Sequence, residues 1–396
     1  MDTVYSRALG GKTGAAGLIV LCALLFLVFP LTLDNFRLNL MAKYLSYSFV
    51  AIGLVLCWGY GGILSLGQGL FWGFGGYCMA AFLKLEAARN IAREAGTDQI
   101  RALTTVGLPD FMDWNQITQL PYIWYPFRSF PITIIMVFLV PTLLAYIIGL
   151  AMFKRRVIGV YFALITQALC WLMEILFVTR QGWTGGINGI TDLRTCLGWD
   201  IRTKSAMVTL YFVTCICVVG CVVLGRLILA SKLGRLLIAL RDGEDRVRFS
   251  GYSVANQKTF IFCVAAAISA LGGALFVFNV GFMSPKLVSI EPSIYMVIFC
   301  AVGGRYSLVG AVYGAILVNY GKTYFSEQFP NLWYYFMGAV FILVTRFFPR
   351  GLAGIVEDII PWVQRRIAAR LVRGRVPAKR PAPVTRLAVE EPVSGS

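Results

Sequence analysis

Gly59-Tyr60-Gly61-Gly62-Ile63-Leu64-Ser65-Leu66-Gly67-Gln68-Gly69-Leu70-Phe71-Trp72-Gly73-Phe74-Gly75-Gly76-Tyr77 carries eight glycines in nineteen residues and lies between two apolar runs. Glycine lets the backbone leave helical geometry, so a regular helix is not expected across this stretch. In an apolar chain such irregular backbone is tolerated only where it is buried in protein or lines a cavity. Gly61, Gly62, Ser65, Gly67, Gln68, Phe71 and Gly75 are therefore candidates for the lining of a pathway. The competing reading is close helix packing through small residues.

The surroundings of the stretch set the medium. Of 396 residues, 58% are hydrophobic and 14% charged, where a soluble protein has about 25% charged. Apolar runs near the length that crosses about 30 Å of hydrocarbon fall at roughly 17–33, 40–57, 63–83, 131–153, 157–178, 206–229, 255–278, 292–303, 309–325 and 331–347. The expected fold is an all-α integral membrane protein with about ten transmembrane helices. The first run follows Arg7 and Lys12 but no small-residue cleavage site follows it, so it is read as a span and not as a signal peptide.

The net charge of +17 would raise the question of nucleic acid in a soluble protein. Here ten of the 36 Lys and Arg residues lie at or after Arg346 and six more between Lys232 and Lys258, next to apolar runs. That is the distribution of the positive-inside rule, and it places both termini and the Lys154-Arg155-Arg156 cluster in the cytoplasm. No nucleic-acid partner is expected. Nine of the ten cysteines sit in or at the ends of apolar runs and behave as small hydrophobes, and no metal-ligand spacing occurs. There is no histidine, which removes His-based acid/base catalysis, Ser-His triads and His metal sites.

A second segment, Gly303-Gly304-Arg305-Tyr306-Ser307-Leu308, repeats the order Gly pair, two residues, Ser-Leu of the first and points to an internal duplication. Gly303, Gly304 and Ser307 join the candidate pathway, as does Asn188 of the external loop Gly185-Gly186-Ile187-Asn188-Gly189. Between them, Leu233, Leu236, Leu237 and Leu240 mark one face of an amphipathic helix with charges clustered after it. Such a helix can lie on the bilayer or fit a partner's groove, and the mixture of Asp and Glu with Arg favours the protein contact.

Two Gly-Lys-Thr tripeptides, at Gly11 and Gly321, imitate the end of a phosphate loop, but the required earlier glycine is replaced by Ser6 and Ile316. ATP hydrolysis would then belong to another polypeptide, and no cofactor is expected in this one. Few ionisable residues fall inside or beside the spans, among them Lys43, Glu174, Arg226 and Glu291, and these lie near the ends. That argues against a proton- or ion-coupled carrier and fits a neutral solute.

The Gly-rich first segment, the Gly185 loop, Gly234-Arg235 with Arg241-Asp242-Gly243-Glu244, the Gly272-Gly273-Ala274-Leu275 span and Gly303-Gly304-Arg305 resemble, in order over roughly residues 40–350, the branched-chain amino acid permease family of ABC importers. The long insertion, with Leu108-Pro109-Asp110-Phe111 and Asp113-Trp114-Asn115, looks like that of the second permease subunit of the urea importer. The resemblance implies a sister permease subunit, two cytoplasmic ATPase subunits that bind the ATP, an extracytoplasmic solute-binding protein and a place in the bacterial inner membrane. Arg235, Arg241, Asp242, Glu244 and Arg248 would couple to the ATPase. Tyr306 departs from the family, which commonly has glycine there.

The expected organisation is a permease domain over 1–350, with an external insertion at 84–130 and a cytoplasmic coupling loop at 230–257, then a basic, Pro-rich cytoplasmic tail over 351–396 that is partly disordered. The aromatic, proline-punctuated insertion reads equally as an interfacial anchor and as a docking surface for a soluble partner. Other functions remain open: a branched-chain amino acid importer, a channel that works alone, or a membrane enzyme such as a lipid-linked transferase. For an enzyme, the available acids Asp98, Asp110 and Asp113 are scattered.

Overall fold

Backbone polar groups in hydrocarbon must bond within their own segment, and a helix does this for every interior residue. The computed structural model follows that rule; it describes residues 11–94, 108–157, 159–330, 332–347 and 351–354. Among the described residues, each of the ten apolar runs is helical over most of its length. The first comprises α1 (Gly11–Ala23), a π-helical turn (Leu24–Val28) and Phe29–Thr32. Then come α2 (Asn35–Leu54, continued by a π-helical turn Val55–Tyr60), α3 (Gln68–Glu94), α4 (Phe130–Lys154), α5 (Val160–Thr179) and α6 (Lys204–Ala230). Two short helices, α7 (Lys232–Asp242) and α8 (Glu244–Phe249), precede α9 (Val254–Val280), α10 (Ile290–Gly303), α11 (Leu308–Gln328) and α12 (Trp333–Phe347). Among the described residues, five are long and apolar enough to cross a membrane by themselves: α2 with its π turn, α4, α5, α6 and α9.

α2 and α9 form the centre and are largely buried, whereas α4, α5 and α6 turn most of their apolar surface outward. α9 packs on α2, α3 and α4. Its Gly272-Gly273 pair explains how closely: a Cβ on Gly273 would overlap the Trp72 carbonyl oxygen of α3, and one on Gly272 would sit 2.7 Å from Phe49 Cβ of α2. Absent side chains bring backbones together, which is what helix association in lipid relies on. Around that crossing Trp72 stacks on Tyr47 at 5.2 Å and meets Phe276 edge-on at 4.8 Å.

The two ends of the bundle differ. At one end lie the turns 59–62, 154–156 and 304–307 with α7 and α8. At the other, α3 runs past the apolar limit expected near residue 83, because its polar extension has partners. Lys84 Nζ donates to Asp110 Oδ2 and to the Thr191 carbonyl, both at 3.0 Å. Arg89 donates to the Arg128 carbonyl, and Glu86 accepts from the Gly198 amide. The described part of the insertion is thus a folded cap on α3, with Phe111, Met112 and Trp124 buried while Trp114, Tyr122 and Ile123 remain exposed. A small antiparallel hairpin, β1 (Thr195–Cys196) with β2 (Trp199–Asp200), completes this end. Residues 95–107 of the insertion and all of the tail beyond Gly354 lie outside the described residues.

Candidate substrate pathway and coupling interface

The first Gly-rich segment does break the helix. α2 widens into its π turn and closes through Gly61 N to Leu56 O (3.0 Å) and Ile63 N to Cys57 O (2.9 Å). Gly62 has φ +68°, which a β-carbon disfavours, and faces Arg241 of α7. From there exposure alternates residue by residue: Ile63, Ser65 and Gly67 are buried, Leu64 and Leu66 half-exposed. A period of two is what extended backbone produces. The segment ends with Gly67 against the Thr166 carbonyl of α5. Thr166 lies six residues beyond Val160, about 9 Å along the axis at 1.5 Å per residue. The chain therefore turns back into the bundle, and α3 begins inside it.

The start of α3 is buried among neutral polar groups. Ser65 Oγ accepts from Gly67 N at 3.4 Å, Ser269 Oγ of α9 lies 3.5 Å from Gln68 Oε1, and Gln68 Nε2 has no hydrogen-bond partner among the described residues. Gly69 abuts Ser293 of α10, whose Oγ is 3.5 Å from Cys170 Sγ of α5. Further along, Phe71 meets Phe262 edge-on at 5.3 Å, and a Cβ on Gly75 would overlap the Ala270 carbonyl. Packing accounts for these last two positions, while Ser65 and Gln68 present hydrogen-bonding groups. Ser269, Ser293 and Thr166 complete that polar set; they lie on three helices, so no sequence motif joins them.

The second segment comes to the same end of the bundle in another shape. α10 and α11 form a tight hairpin, in which a Cβ on Gly303 would overlap the Gly310 carbonyl. Gly304 has φ +120°, and Ser307 caps α11 by accepting from Gly310 N at 3.0 Å. The first segment enters the bundle; the second is a four-residue turn, so the shared motif does not bring a shared local conformation. The two segments touch: Gly59 packs on the Arg305 backbone, and Tyr60 OH donates to the Tyr306 carbonyl at 2.7 Å. The Tyr306 ring lies close to two cations, with Arg305 4.7 Å and Arg241 5.3 Å from its centre.

α7 buries Gly234, Leu237 and Leu240, half-buries Leu233 and Leu236, and leaves Arg235 exposed, as its amphipathic pattern requires. Arg241 turns inward: Nη1 donates to the Gly59 carbonyl at 2.9 Å while Nε pairs with Asp242. In α8, Glu244 accepts from Arg248 (2.8 Å) and from the buried Lys258 of α9 (2.6 Å). Arg241 and Glu244 thus fasten α7 and α8 to the bundle, while Arg248 pairs within α8. Arg235, Asp245 and above all Phe249, 91% exposed, point away from it.

Asn188 is not part of this arrangement. It is exposed on a turn at the opposite end, where Ile190 and Met283 exchange backbone hydrogen bonds of 2.8 and 2.9 Å. Asp110 is held by Lys84, and the second Gly-Lys-Thr lies within α11, where Thr323 hydrogen-bonds Tyr44 at 2.5 Å; a helix interior cannot wrap a phosphate as a loop does.

A family model described as "Branched-chain amino acid transport system / permease component" matches residues 36–345. The chain is 26% identical over 229 residues to the high-affinity branched-chain amino acid transport system permease protein LivM of Escherichia coli (strain K12), covering 52% of this chain and 53% of that protein. It is 25% identical over 236 residues to LivM of Salmonella typhimurium (54% and 55%) and 24% identical over 189 residues to the ribose import permease protein RbsC of Haemophilus influenzae (46% and 57%). The chain spans about half the length of the curated relatives it matches. No solved structure matches it. With a model match covering most of the helical bundle, from the start of α2 into α12, the chain belongs to the branched-chain amino acid transport permease family.

Proposed function

We propose that this chain is a permease subunit of an ABC importer that moves a small polar solute, urea, into the cell, driven by two ATPases that dock on α7 and α8. The observation that carries the reading is the Arg241 hydrogen bond to Gly59, which ties the amphipathic α7 to the broken segment leading into the bundle. ATPase closure would move α7, and with it the turn at 59–62 and the adjoining Tyr306 turn, switching access to the start of α3. The chain does no covalent chemistry in this cycle. Ser65 and Gln68 offer neutral donors and acceptors that hold a passing solute weakly enough to release it. Urea presents a carbonyl acceptor and two amide donors and needs no counter-ion there. The α7 end, with Lys154, Arg155, Arg156, Arg241 and Arg305, is the cytoplasmic one. A sister permease covers outward faces of the bundle, and a solute-binding protein meets the cap at the other end.

Branched-chain amino acids are the second reading, favoured by the matches to LivM. Uptake of labelled urea in cells with and without this chain, with excess unlabelled leucine in parallel, separates the two. Loss of a saturable, leucine-insensitive urea uptake supports the urea importer. Intact urea uptake with lost leucine uptake moves the assignment to amino acids, and saturable flux through the purified chain alone in liposomes overturns the ATP-driven reading.

A further inference from the structure

At the end of the bundle away from α7, a cavity of about 490 Å³ opens between α3, α4, α5 and the cap. Its walls are apolar, among them Trp124, Val140, Phe177 and Trp183. Two polar groups stand out. The Tyr77 hydroxyl is buried, with the residue 8% exposed, and has no hydrogen-bond partner among the described residues. Arg180, the residue after α5 ends, lines the cavity and makes no ion pair among the described residues.

The cation follows the last residue of the apolar α5, the kind of place where basic side chains and interfacial aromatics meet lipid headgroups. An amino acid does not suit the site, because no Asp or Glu lines it to meet the ammonium. A molecule as small as urea would leave most of the apolar wall uncovered. A long aliphatic body with an anionic head satisfies both parts. We propose that this cavity holds one acyl chain of an anionic membrane phospholipid, with the headgroup phosphate on Arg180. Each buried CH₂ adds to such binding, and the Arg180 cation favours a headgroup whose phosphate charge no ammonium offsets.

The test uses the full chain purified with its partner subunits in nanodiscs that contain phosphatidylglycerol or phosphatidylcholine with the same diazirine-labelled acyl chain. After photolysis, lipid adducts are mapped by peptide mass spectrometry. Phosphatidylglycerol is expected to label peptides containing Tyr77, Val140 and Phe177 about ten-fold more than phosphatidylcholine, whose choline ammonium offsets the phosphate charge beside Arg180. Arg180→Gln should remove that difference. Val140→Trp should remove the cavity adducts of both lipids while labelling at the exposed Leu143 persists. Equal labelling by the two lipids, or adducts only on exposed faces such as Leu143, as expected where a sister chain covers the cavity, overturns the proposal. Displacement of the adducts by excess urea or leucine also overturns it, giving the cavity to solute. Because Arg180 is exposed, its variant is expected to fold even where Val140→Trp does not, and the lipid preference alone then decides.

Discussion

Arg241 and Gly59, 182 positions apart, are joined by a 2.9 Å hydrogen bond from a guanidinium to a backbone carbonyl. The acceptor is main chain, so no substitution at residue 59 removes it, whereas the donor is one side chain. Arg241→Lys keeps the charge and loses the planar fork that serves Gly59, Asp242 and the Tyr306 face together. A hydrogen bond to a charged group contributes about 1.5–3 kcal/mol. The expected outcome is uptake reduced about ten-fold or more with ATP hydrolysis retained, measured as solute moved per ATP in proteoliposomes; a parallel fall of both would place Arg241 in folding alone.

Phe249 is the contrasting case, because it touches little of this chain. Phe249→Ala should leave the unfolding midpoint of the isolated permease unchanged and weaken its hold on the ATPases, by about 2 kcal/mol if the ring is a buried anchor of that interface. Retention of the ATPases on an affinity column, compared between variant and parent, reads this directly.

Gly273→Val tests the central crossing. With the Trp72 carbonyl in the way, α3 and α9 must separate, and overpacking of this kind costs about 1–3 kcal/mol or more. The folded yield and thermal midpoint should fall. Gly220→Ala in α6, where nothing lies within 4 Å, should leave both intact.

Single-cysteine variants across the broken segment should reproduce its alternation. Leu64→Cys and Leu66→Cys are expected to react with water-soluble maleimide at least ten-fold faster than Ile63→Cys and Ser65→Cys in the resting protein, with the gap narrowing during ATP turnover. Four equal rates would contradict the extended conformation.

Asp192 supplies a pH dependence at the other end. Hydrogen bonds from Arg194, at 2.9 Å, and then from Arg202, at 2.7 Å, hold its carboxyl below the usual value against a smaller opposing effect of burial. A depressed folded value means that the stabilisation is present above the unfolded pKa, about 3.9, and is lost as pH falls through the folded one. Hydrogen exchange at Ile190 and Met283, corrected for the intrinsic rate, should therefore accelerate only below about pH 4. Asp192→Asn should show the faster exchange at neutral pH.

The helices were legible because hydrophobic run length is a one-dimensional property: the run near 131–153 became Phe130–Lys154, and 255–278 became Val254–Val280. The end of α3 was not, since Lys84 to Glu94 read as polar loop until Asp110, Thr191 and Arg128 supply partners from elsewhere in the chain. Within the site, the break at Gly61–Gly62 followed from glycine content, and the face of α7 from its leucine spacing. The Arg241 and Tyr306 contacts did not, because cation–π and backbone pairing across more than 60 positions leave no local pattern. Tyr306 offered one signal, as a large aromatic following Arg305 in a turn opened by a glycine pair.

α3 begins at Gln68 inside the bundle and ends at Glu94 beside the cap, 27 residues that make a rod of about 40 Å. Its lower end bears on the broken segment and its upper end carries the cap through Lys84 and Glu86. A helix hardly shortens under load, so any axial displacement imposed at residues 61–67 must emerge at the cap as the same stroke. Clamping the cap from outside, for instance with a bound antibody fragment, would then stall the break within, although the two sites share no residue.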